Sequence, residues 1–509
     1  MVVVAGDAQR EAIAFLEERT RERVDTHAAI VFLAQDRAYK LKRAVRFSYL
    51  DFSTPERREQ ACRAELALNR RTVPDLYLGV RSMTRGRDGR LDFDGAGEVV
   101  DWIVEMRRFD QALLFDRLAE RGELTEALME SLSSEIARFH AAAEVTPGMG
   151  GRASFATEIE GNEQNFAQAT ALGPELCTSL VERWQKELGR DGEMLDRRDA
   201  GGRVRRCHGD LHLRNIFLWH GVPALFDCIE FSEHLSCIDV LYDLAFLLMD
   251  LEHRGLRALA NLVCNGYLDR NDETDGLAAL PFMMSLRAGI RAHTGVAAAH
   301  TQPHPERRQA IIDEARSYLD LAARLLERRQ PQLVAIGGLS GTGKSTLTRA
   351  FAPECGPVPG ARTLHTDALR KRMFGVEKTE RLGPQAYTPE IDERVYRSQR
   401  EAAAASLRAG YSAIVDGVFS KPEERAAIAA IARTCNVPFT GLWLVAPSEV
   451  VRARVAARKN DMSDAGLDVL EDQLGRDSGE VEWQRLEAGG SVARTLDDVR
   501  AATAAGLAR

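Results

Sequence analysis

Two segments of this chain of 509 residues have the residue types and the spacing needed to handle a nucleoside triphosphate. His208–Asn215 reads HGDLHLRN and lies before the midpoint, whereas residues 338–345 read GLSGTGKS and lie well after it. The first segment offers a carboxylate and an amide that could direct phosphoryl transfer, and the second offers a glycine-rich turn that could hold phosphates. Because these are unrelated ways of using a nucleotide, the sequence predicts two active sites in one polypeptide.

The first segment has the spacing of a phosphotransfer loop. Asp210 is followed five residues later by Asn215, the same interval as in the kinase pattern H-R-D-x-x-x-x-N. Downstream, Asp227 ends an apolar stretch and supplies a second carboxylate. We expect Asp210 to orient the acceptor hydroxyl or accept its proton, and Asn215 and Asp227 to hold Mg²⁺.

At these residues the sequence resembles the aminoglycoside phosphotransferase and choline kinase superfamily, a relative of the protein kinases. In that superfamily the loop has the pattern H-G-D-x-x-x-x-N, and an I/F-D dipeptide follows it in the sequence. The resemblance extends over roughly residues 25–300, judged by the order of the motifs. It implies a protein-kinase-like bilobal fold with a strand-rich N-lobe, a helical C-lobe, and ATP or GTP bound in the cleft between the lobes.

The same resemblance implies which residues bind the nucleotide. Lys40 and Lys42 point to one face of a predicted strand, and Lys40 is favoured because it aligns with the lysine of the kinase pattern A-x-K. Glu65, on the next helix, is the expected partner of the lysine. The alternative is that Glu65 and one lysine are surface charges. The strand leading into the hinge that bonds the base is assigned to residues 102–106, which include Glu105 and Met106.

Three features near this site qualify the resemblance. His208 and Asp243 are expected to be structural, and the role of His212 is open. The turn expected to cover the phosphates, residues 25–29, lacks glycine, so its backbone amides can bind phosphate less freely. Three glutamates could form an acidic pocket for a polycationic acceptor, but the solvated face of a helix is the favoured interpretation: Glu158, Glu160 and Glu163.

The second segment lies in the context that a P-loop needs. Residues 333–336 form an apolar strand, the motif fits G-x-x-x-x-G-K-[ST], and residues 346–350 continue as a helix. Backbone N–H groups at the start of such a helix close around the β-phosphate. We expect Lys344 to bridge the β- and γ-phosphates and Ser345 to ligate Mg²⁺. The residues predicted to bind the nucleotide are Gly338, Ser340, Gly341, Thr342, Gly343, Lys344, Ser345 and Thr346.

Beyond the P-loop, the sequence is similar to polynucleotide kinase, gluconate kinase and the zeta-toxin kinases, over about residues 332–495. Asp367 ends a predicted strand, and Arg370 follows one helical turn later. The resemblance implies that Asp367 orients the acceptor hydroxyl as a catalytic group and that Arg370 binds substrate or phosphate. Asp416 ends another apolar strand, and we expect it to be a metal-water or substrate ligand.

A lid is predicted farther along the chain. Arg454 and Arg458 are four residues apart on a predicted helix and share a face, whereas Val451 and Val455 face elsewhere. This pattern resembles the lid helix of P-loop kinases, whose arginines neutralise charge in the transition state. The alternative is a basic surface helix. The loop of residues 461–464 would also belong to the lid.

Composition limits the compartment and the partners. The net charge of −8 gives no general attraction to nucleic acid or anionic membrane, so neither is an expected partner. None of the eight cysteines forms a Cys-x-x-Cys pair, which is typical of reduced thiols in a cytoplasmic protein. The start of the chain lacks the regions of a signal peptide. Residues 241–251 are apolar but contain two aspartates, and they predict a buried helix rather than a membrane span.

The elements that position these residues fall into two predicted domains. A charged, proline-ended stretch at residues 325–331 marks the boundary between them. Residues 1–329 are predicted to form the kinase-like domain, with an N-lobe at about 1–105 and a C-lobe at about 106–329, and residues 330–509 a P-loop domain with a doubly wound parallel sheet. The N-lobe elements are predicted as a helix at 8–23, strands at 29–33 and 38–45, a helix from 54 to 71, and strands near 77–80 and 98–105.

Together these features predict a bifunctional phosphotransferase. It would transfer the γ-phosphate of ATP or GTP, with Mg²⁺, to hydroxyl groups of small metabolites at two separate sites. The domain order looks like that of a family of bacterial fusion proteins. Two alternatives stay open: a nucleotide-sensing regulatory protein in which one domain binds nucleotide without turnover and gates the other, and a toxin-like kinase acting on nucleotide-sugars. The sequence does not indicate the acceptors or the oligomeric state.

Overall fold

Packing divides the chain into two compact units. The structure is a computed structural model that describes residues 2–3, 7–26, 28–47, 50–458, 463–475 and 478–507, without the side chains of residues 2, 3, 7 and 8. The first unit comprises Met1–Gly161 and Leu188–Asp250, and the second comprises Asn162–Glu187 and Leu251–Arg509. This division differs from the boundary predicted between residues 329 and 330, which remains a prediction.

A strand-rich lobe opens the first unit. Its elements are β1 (Val2–Val3), α1 (Asp7–Glu17), β2 (Glu22–Asp25), β3 (Ala29–Leu33), β4 (Arg37–Lys42), β5 (Val45–Arg46), α2 (Pro55–Asn69), β6 (Tyr77–Arg85), β7 (Leu91–Phe93) and β8 (Glu98–Arg107). Six strands form an antiparallel sheet in the order β2-β3-β4-β8-β6-β7, and β1 pairs with β5. Helix α2 begins where the sequence predicts, because the side chain of Thr54 accepts the N–H of Arg57 and Pro55 takes the first helical position.

Helices and two short antiparallel ladders follow the strand-rich lobe. The elements are α3 (Phe115–Glu120), α4 (Glu126–Ala142), α5 (Gly151–Gln168), α6 (Pro174–Ala200), β9 (Val204–Arg206), β10 (Ile216–Trp219), β11 (Val222–Leu225), α7 (Glu233–Ser236), β12 (Cys237–Asp239) and α8 (Val240–His253). Strand β9 pairs with β12, and β10 pairs with β11. These ladders bracket the His208–Asn215 segment. Helix α8 is buried, as residues 241–251 predict, and its Asp243 and Asp250 accept backbone N–H groups of this segment.

The second unit contains helices and a parallel sheet. Its remaining elements are α9 (Arg257–Leu268), α10 (Leu280–Thr301), α11 (Pro305–Leu325), β13 (Leu333–Gly337), α12 (Lys344–Phe351), β14 (Arg362–His365), α13 (Thr366–Met373), α14 (Pro389–Arg408), β15 (Ala413–Asp416), α15 (Pro422–Thr434), β16 (Phe439–Val445), α16 (Ser448–Ala456), α17 (Leu467–Gly475), β17 (Gln484–Glu487) and α18 (Val492–Leu507). The five strands are parallel in the order β14-β15-β13-β16-β17. Apolar clusters cover both faces of this sheet. Short 3-10 helices lie at Gln111–Leu113, Thr170–Leu172, Leu213–Asn215, Thr274–Ala279, Ala352–Glu354 and Pro384–Ala386.

Side chains of α9 bond the outer edge of this sheet. Asn265 Oδ1 accepts the backbone N–H of Thr363 at 2.8 Å, and its Nδ2 donates to Ala361 O at 3.1 Å. Asn261 Nδ2 donates to the same carbonyl at 3.1 Å. The backbone at the outer edge of β14 is therefore hydrogen-bonded to side-chain amides of a helix instead of to another strand.

Candidate active sites

The loop that follows β9 is held from behind by one buried carboxylate. Asp243 on α8 accepts the N–H groups of His208 and Gly209 at 3.0 and 2.9 Å, and it lies 3.0 Å from His140 Nε2. Gly209 has a φ of 85°, and a Cβ there would lie 2.8 Å from Leu235 O. Only glycine suits this conformation. The loop shape is therefore fixed by the Gly209 backbone and by Asp243.

This loop brings the predicted base and a predicted metal ligand into contact. Asn215 Nδ2 donates to Asp210 Oδ2 at 2.8 Å and to Asp210 O at 2.9 Å. Since the amide nitrogen faces Asp210, the amide oxygen of Asn215 is the atom left for a cation. His212 Nε2 lies 3.3 Å from Asp210 Oδ2, and its buried Nδ1 has no hydrogen-bond partner among the described residues.

Two buried lysines share one glutamate opposite the loop. Lys40 Nζ donates to Glu65 Oε1 at 2.8 Å, and Lys42 Nζ lies 2.5 Å from Glu65 Oε2. Lys40 also contacts Asp227, and Lys42 contacts Glu230. The structure thus joins Lys40, Glu65 and Asp227 as the resemblance implies, and it adds Glu230, which no motif predicted.

The charges in this cluster hold one another in the ionised state. Burial would lower the pKa of Lys40, but Asp227 and Glu65 raise it well above its ordinary value. Burial would raise the pKa of Glu65, but the two lysines lower it to about 2. Burial raises the pKa of Glu230. The cluster therefore has a buried carboxylate, Glu65, that stays charged at neutral pH.

Asp227, the second predicted metal ligand, lies close to Asn215. Its φ is 64°, its side chain is 41% exposed, and its N–H donates to the Tyr77 hydroxyl at 3.2 Å. The neighbouring Phe226 N–H donates to Asn215 O at 3.1 Å, which places the two predicted ligand segments side by side. Carboxylate and amide oxygens suit Mg²⁺, so this donor set fits the ion.

The predicted hinge residues lie inside the sheet. Glu105 pairs with Tyr39 and Met106 with Ala38, and β8 runs on to Arg107. The Glu105 side chain faces Arg37 and Arg81 at 3.5 and 3.7 Å, whereas Met106 is buried. A nucleotide base that bonded the backbone N–H and C=O groups of these residues would compete with the neighbouring strands for the same hydrogen bonds. At the predicted phosphate-covering turn, Thr26 closes the β2–β3 hairpin by its bonds to Ala29, and His27 lies outside the described residues.

The P-loop runs from β13 into α12 with three glycines at positive φ. Gly338, Gly341 and Gly343 have φ values of 138°, 86° and 95°. Lys344 Nζ donates to Gly338 O at 2.8 Å and to Leu339 O at 2.9 Å, so the lysine lies across the loop. Burial lowers the pKa of Lys344 to about 8. The other predicted nucleotide-binding residues lie on the same loop and the first turn of α12: Ser340, Thr342, Ser345 and Thr346.

A buried carboxylate lies beside the P-loop. Asp416 ends β15, paired with Ile336 of β13, and is 3% exposed. His365 Nδ1 lies 2.7 Å from Asp416 Oδ2, and Thr348 Oγ1 lies 3.3 Å from the same atom. Burial would raise the pKa of Asp416, but His365, Lys344 and a hydrogen bond from Ser345 lower it. A serine hydroxyl and a charged carboxylate together fit Mg²⁺.

The predicted acceptor residues lie on α13. Burial raises the pKa of Asp367, which bonds the side chain of Ser463. Arg370 donates to Ala386 O at 2.7 Å, pairs with Asp392 at 2.8 Å and lies over the ring of Tyr387. Sequence reasoning missed a neighbouring network in which Asp464 Oδ2 accepts the Tyr387 hydroxyl at 2.6 Å and Asp464 Oδ1 lies 3.0 Å from Lys371 Nζ.

One part of the lid prediction is wrong. Helix α16 ends at Ala456, so Arg458 lies beyond the helix and does not share a helical face with Arg454. Val451 and Val455 are the buried residues of α16, and the two residues that follow Val455 are alanines, whose small side chains add little apolar packing at the end of the helix. Arg454 donates to Ala488 O at 2.9 Å, and Arg458 donates to Ala465 O at 3.4 Å. Asp461 and Met462 lie outside the described residues.

Both halves of the chain match families of the phosphoryl-transfer class. Residues 36–280 match the model of the phosphotransferase enzyme family, and residues 333–477 match the model of an AAA domain of the P-loop kinase type. The chain is therefore a fusion of a protein-kinase-like phosphotransferase segment with a P-loop kinase segment, as the motifs predict.

Relatives of nearly the full length exist in mycobacteria. Uncharacterized proteins of Mycobacterium tuberculosis and Mycobacterium bovis are 29% identical over 483 residues, which is 93% of this chain and 93% of each relative. Among solved structures, a choline/ethanolamine kinase family protein from Mesorhizobium loti is 15% identical, with a TM-score of 0.38, and covers 63% of this chain and 98% of its own. A gluconokinase from Sinorhizobium meliloti is 21% identical, with a TM-score of 0.27, and covers 35% of this chain and 95% of its own. Within the described residues, no helix combines the length and the apolar character that a membrane crossing requires.

Proposed function

We propose that the chain is a bifunctional cytoplasmic phosphotransferase. It uses ATP or GTP with Mg²⁺ to phosphorylate hydroxyl groups of small metabolites at two separate sites. The observation that carries the proposal is the contact of Asp210 with Asn215 in one unit while Lys344, Ser345 and Asp416 converge in the other, because each set holds the groups that phosphoryl transfer needs. Eight unpaired cysteines support a reducing compartment.

At the first site, Asp210 is the proposed base. The acceptor O–H bond breaks as its proton passes to Asp210, the acceptor oxygen bonds to the γ-phosphorus, and the bond from phosphorus to the β–γ bridging oxygen breaks. Lys40, held by Glu65, would position the phosphates. Mg²⁺ held by Asn215 and Asp227 would offset the charge that collects on the bridging oxygen.

At the second site, Asp367 is the proposed base. Its raised pKa reflects burial, which favours taking up a proton from the acceptor hydroxyl. Lys344 would contact the β- and γ-phosphates, and Ser345 with Asp416 would hold Mg²⁺. Arg370, Arg454 and Arg458 are the cations proposed to contact substrate or the transferring phosphoryl group, which requires Arg454 and Arg458 to leave the carbonyls that they now bond.

A second candidate function is nucleotide sensing at the first site. Two observations favour it: the turn at residues 25–29 lacks glycine, and Lys40 contacts Asp227 directly. Nucleotide that bound there without turnover would act on the other site as a regulatory signal. Binding of nucleotide without product formation distinguishes this function from catalysis.

Transfer of labelled phosphate from ATP and from GTP into a fractionated metabolite extract tests the proposal. We expect Asp210→Ala and Lys344→Ala each to remove a different product, with losses of roughly 10²–10⁴-fold. Exposed Asp320→Ala and Lys186→Ala serve as matched controls that should keep both products. The proposal is overturned if Asp210→Ala and Lys344→Ala both retain every wild-type transfer activity.

A further inference from the structure

A cavity of about 240 Å³ lies in the second unit, between the end of α9 and helix α13. Asp269 and Arg270 line it from the α9 side, and Leu369 and Arg372 line it from α13. Neither Asp367, Arg370 nor any P-loop residue is among the residues that line it. The cavity is thus separate from the acceptor and nucleotide sites proposed above.

The charges around this cavity favour an anion. Four basic side chains and two carboxylates line it, which leaves an excess of positive charge. Lys371 pairs with Asp464, and Lys378 pairs with Asp269 at 2.9 Å. Arg270 and Arg372 differ from these lysines because, within the described residues, neither has a carboxylate at ion-pair distance.

The two arginines are held by backbone oxygens at the end of α9. Arg270 donates to Gly266 O at 3.0 Å, and Arg372 donates to Asp269 O at 3.4 Å. The second bond brings the Arg372 guanidinium to the residue next to Arg270. Each guanidinium keeps N–H donors that no described residue uses, and paired guanidinium groups suit an oxyanion that accepts two bonds from each.

Part of the wall is apolar. Leu364, Leu369 and Val376 line the cavity beside the charged groups. A ligand that fills it therefore combines a charged head with a short carbon skeleton. A phosphomonoester carries about two negative charges, which the two arginines can bind because their two positive charges outnumber the one remaining carboxylate of the wall, Glu377.

We propose that this cavity is a binding site for a small phosphorylated metabolite, held by Arg270 and Arg372. The site goes beyond the proposed phosphotransfer and does not depend on it. Its wall includes His365, whose Nδ1 lies 2.7 Å from Asp416. An occupant would therefore touch a residue that contacts the P-loop carboxylate, which gives the metabolite a physical route to influence the second kinase site.

Calorimetric titration of the full chain with glycerol 3-phosphate tests the site. Both nucleotide sites are first saturated with a non-hydrolysable ATP analogue and Mg²⁺, so that the probe cannot enter them. Wild type is compared with the double variant Arg270→Gln with Arg372→Gln. The control is Arg408→Gln, on the exposed last turn of α14. A further variant, Asp367→Asn, changes the acceptor site. Glycerol serves as the uncharged probe, and inorganic phosphate as the probe without a carbon skeleton.

We expect glycerol 3-phosphate to bind wild type, Arg408→Gln and Asp367→Asn alike, and to bind the double variant at least about tenfold more weakly. Inorganic phosphate should bind more weakly than glycerol 3-phosphate, and glycerol should not bind. Equal thermal unfolding of the double variant and wild type without probe shows that both are folded. The proposal is overturned by absence of binding at millimolar probe, or by binding that stays as strong in the double variant as in wild type; loss of that binding in Asp367→Asn would then assign it to the acceptor site.

Discussion

Glu65 is the residue that holds two buried cations at the first site. Its carboxylate has no exposed surface, and it lies 2.8 Å from Lys40 Nζ and 2.5 Å from Lys42 Nζ. Asp227 and Glu230 complete the cluster. A buried ammonium group that loses its counter-ion is costly, so this cluster links the charge state of one glutamate to the stability of the first unit.

We expect Glu65→Gln to lower the free energy of unfolding by about 3 kcal/mol near neutral pH, because the cluster loses one carboxylate. A carboxylate whose pKa is lower in the folded chain than in the unfolded chain stabilises the fold above its unfolded pKa. The difference between wild type and variant should therefore be full above the ordinary value of 4.5 and shrink as the pH falls toward about 2. Urea unfolding of both proteins across this range measures it.

Glu59→Gln on the same helix is the control for this prediction. Glu59 pairs with Arg63 at the surface of α2, and removal of such a pair changes stability by less than about 1 kcal/mol. If the effect of Glu65→Gln does not vary with pH, Glu65 acts by packing and the electrostatic account is wrong.

Motif order predicted part of this cluster and not the rest. Lys40, Glu65 and Asp227 were expected in one site because each follows a recognisable pattern. Glu230 contacts Lys42 across 188 residues, and His365 contacts Asp416 across 51 residues. No period of a helix or strand relates such pairs, so only the folded chain could reveal them.

At the scale of elements, the sequence predicted whether a segment forms a helix or a strand better than it predicted where that element ends. The helix predicted at residues 8–23 ends at Glu17, and β2 begins at Glu22. Glutamate and arginine are common both on the exposed face of a helix and on an exposed edge strand. The residue types at positions 18–23 therefore do not indicate that the helix ends and a strand begins there. Helix α16 was predicted too long for a related reason, since charged residues continue after its last buried valine.

Close packing between α6 and α10 depends on one glycine. Trp184 on α6 is fully buried, and its Nε1 donates to Ser285 Oγ at 2.7 Å. A Cβ at Gly289 of α10 would lie 2.5 Å from Trp184 Cη2. We expect Gly289→Ala to lower the free energy of unfolding by about 1–3 kcal/mol, because a buried indole has little room to move. Urea unfolding monitored by tryptophan fluorescence measures the change.

Gly189→Ala on α6 is the matched control. A Cβ at Gly189 would meet no atom within 4 Å, and alanine favours a helix over glycine by about 1 kcal/mol. This variant should therefore be as stable as wild type or more stable. If Gly289→Ala is stabilised to the same degree, the contact with Trp184 does not limit the packing.

At the scale of the whole molecule, packing and family boundaries differ. The phosphotransferase family match ends at residue 280, yet α9 packs in the same compact unit as the P-loop sheet. Asn265, Asp269 and Arg362 are the residues most involved: Asn265 Oδ1 accepts from Arg362 at 3.0 Å, and Asp269 pairs with Arg362 at 2.7 Å. Sequence patterns could not predict this arrangement, because a buried asparagine on a helix does not indicate which strand it bonds.

We expect Asn265→Leu to lower the apparent free energy of unfolding by about 1–3 kcal/mol, because the Thr363 N–H and the Arg362 guanidinium each lose a buried acceptor. Since β14 leads into Asp367, transfer that depends on Lys344 should fall more than transfer that depends on Asp210. Urea unfolding and the two product assays measure these effects. Asn165→Leu on the exposed face of α5 is the control, and equal behaviour of the two variants would contradict the prediction.

The order of synthesis gives the bond between Asn265 and Thr363 a further consequence. The two residues are 98 positions apart, and α9 leaves the ribosome first. The helix is then already made when β14 emerges, so the edge of the parallel sheet can be covered as soon as it forms. In a P-loop segment translated without α9, the backbone N–H and C=O groups on the outer edge of β14 would have no partner. Such an unpaired edge strand can pair with the same strand of another newly made chain.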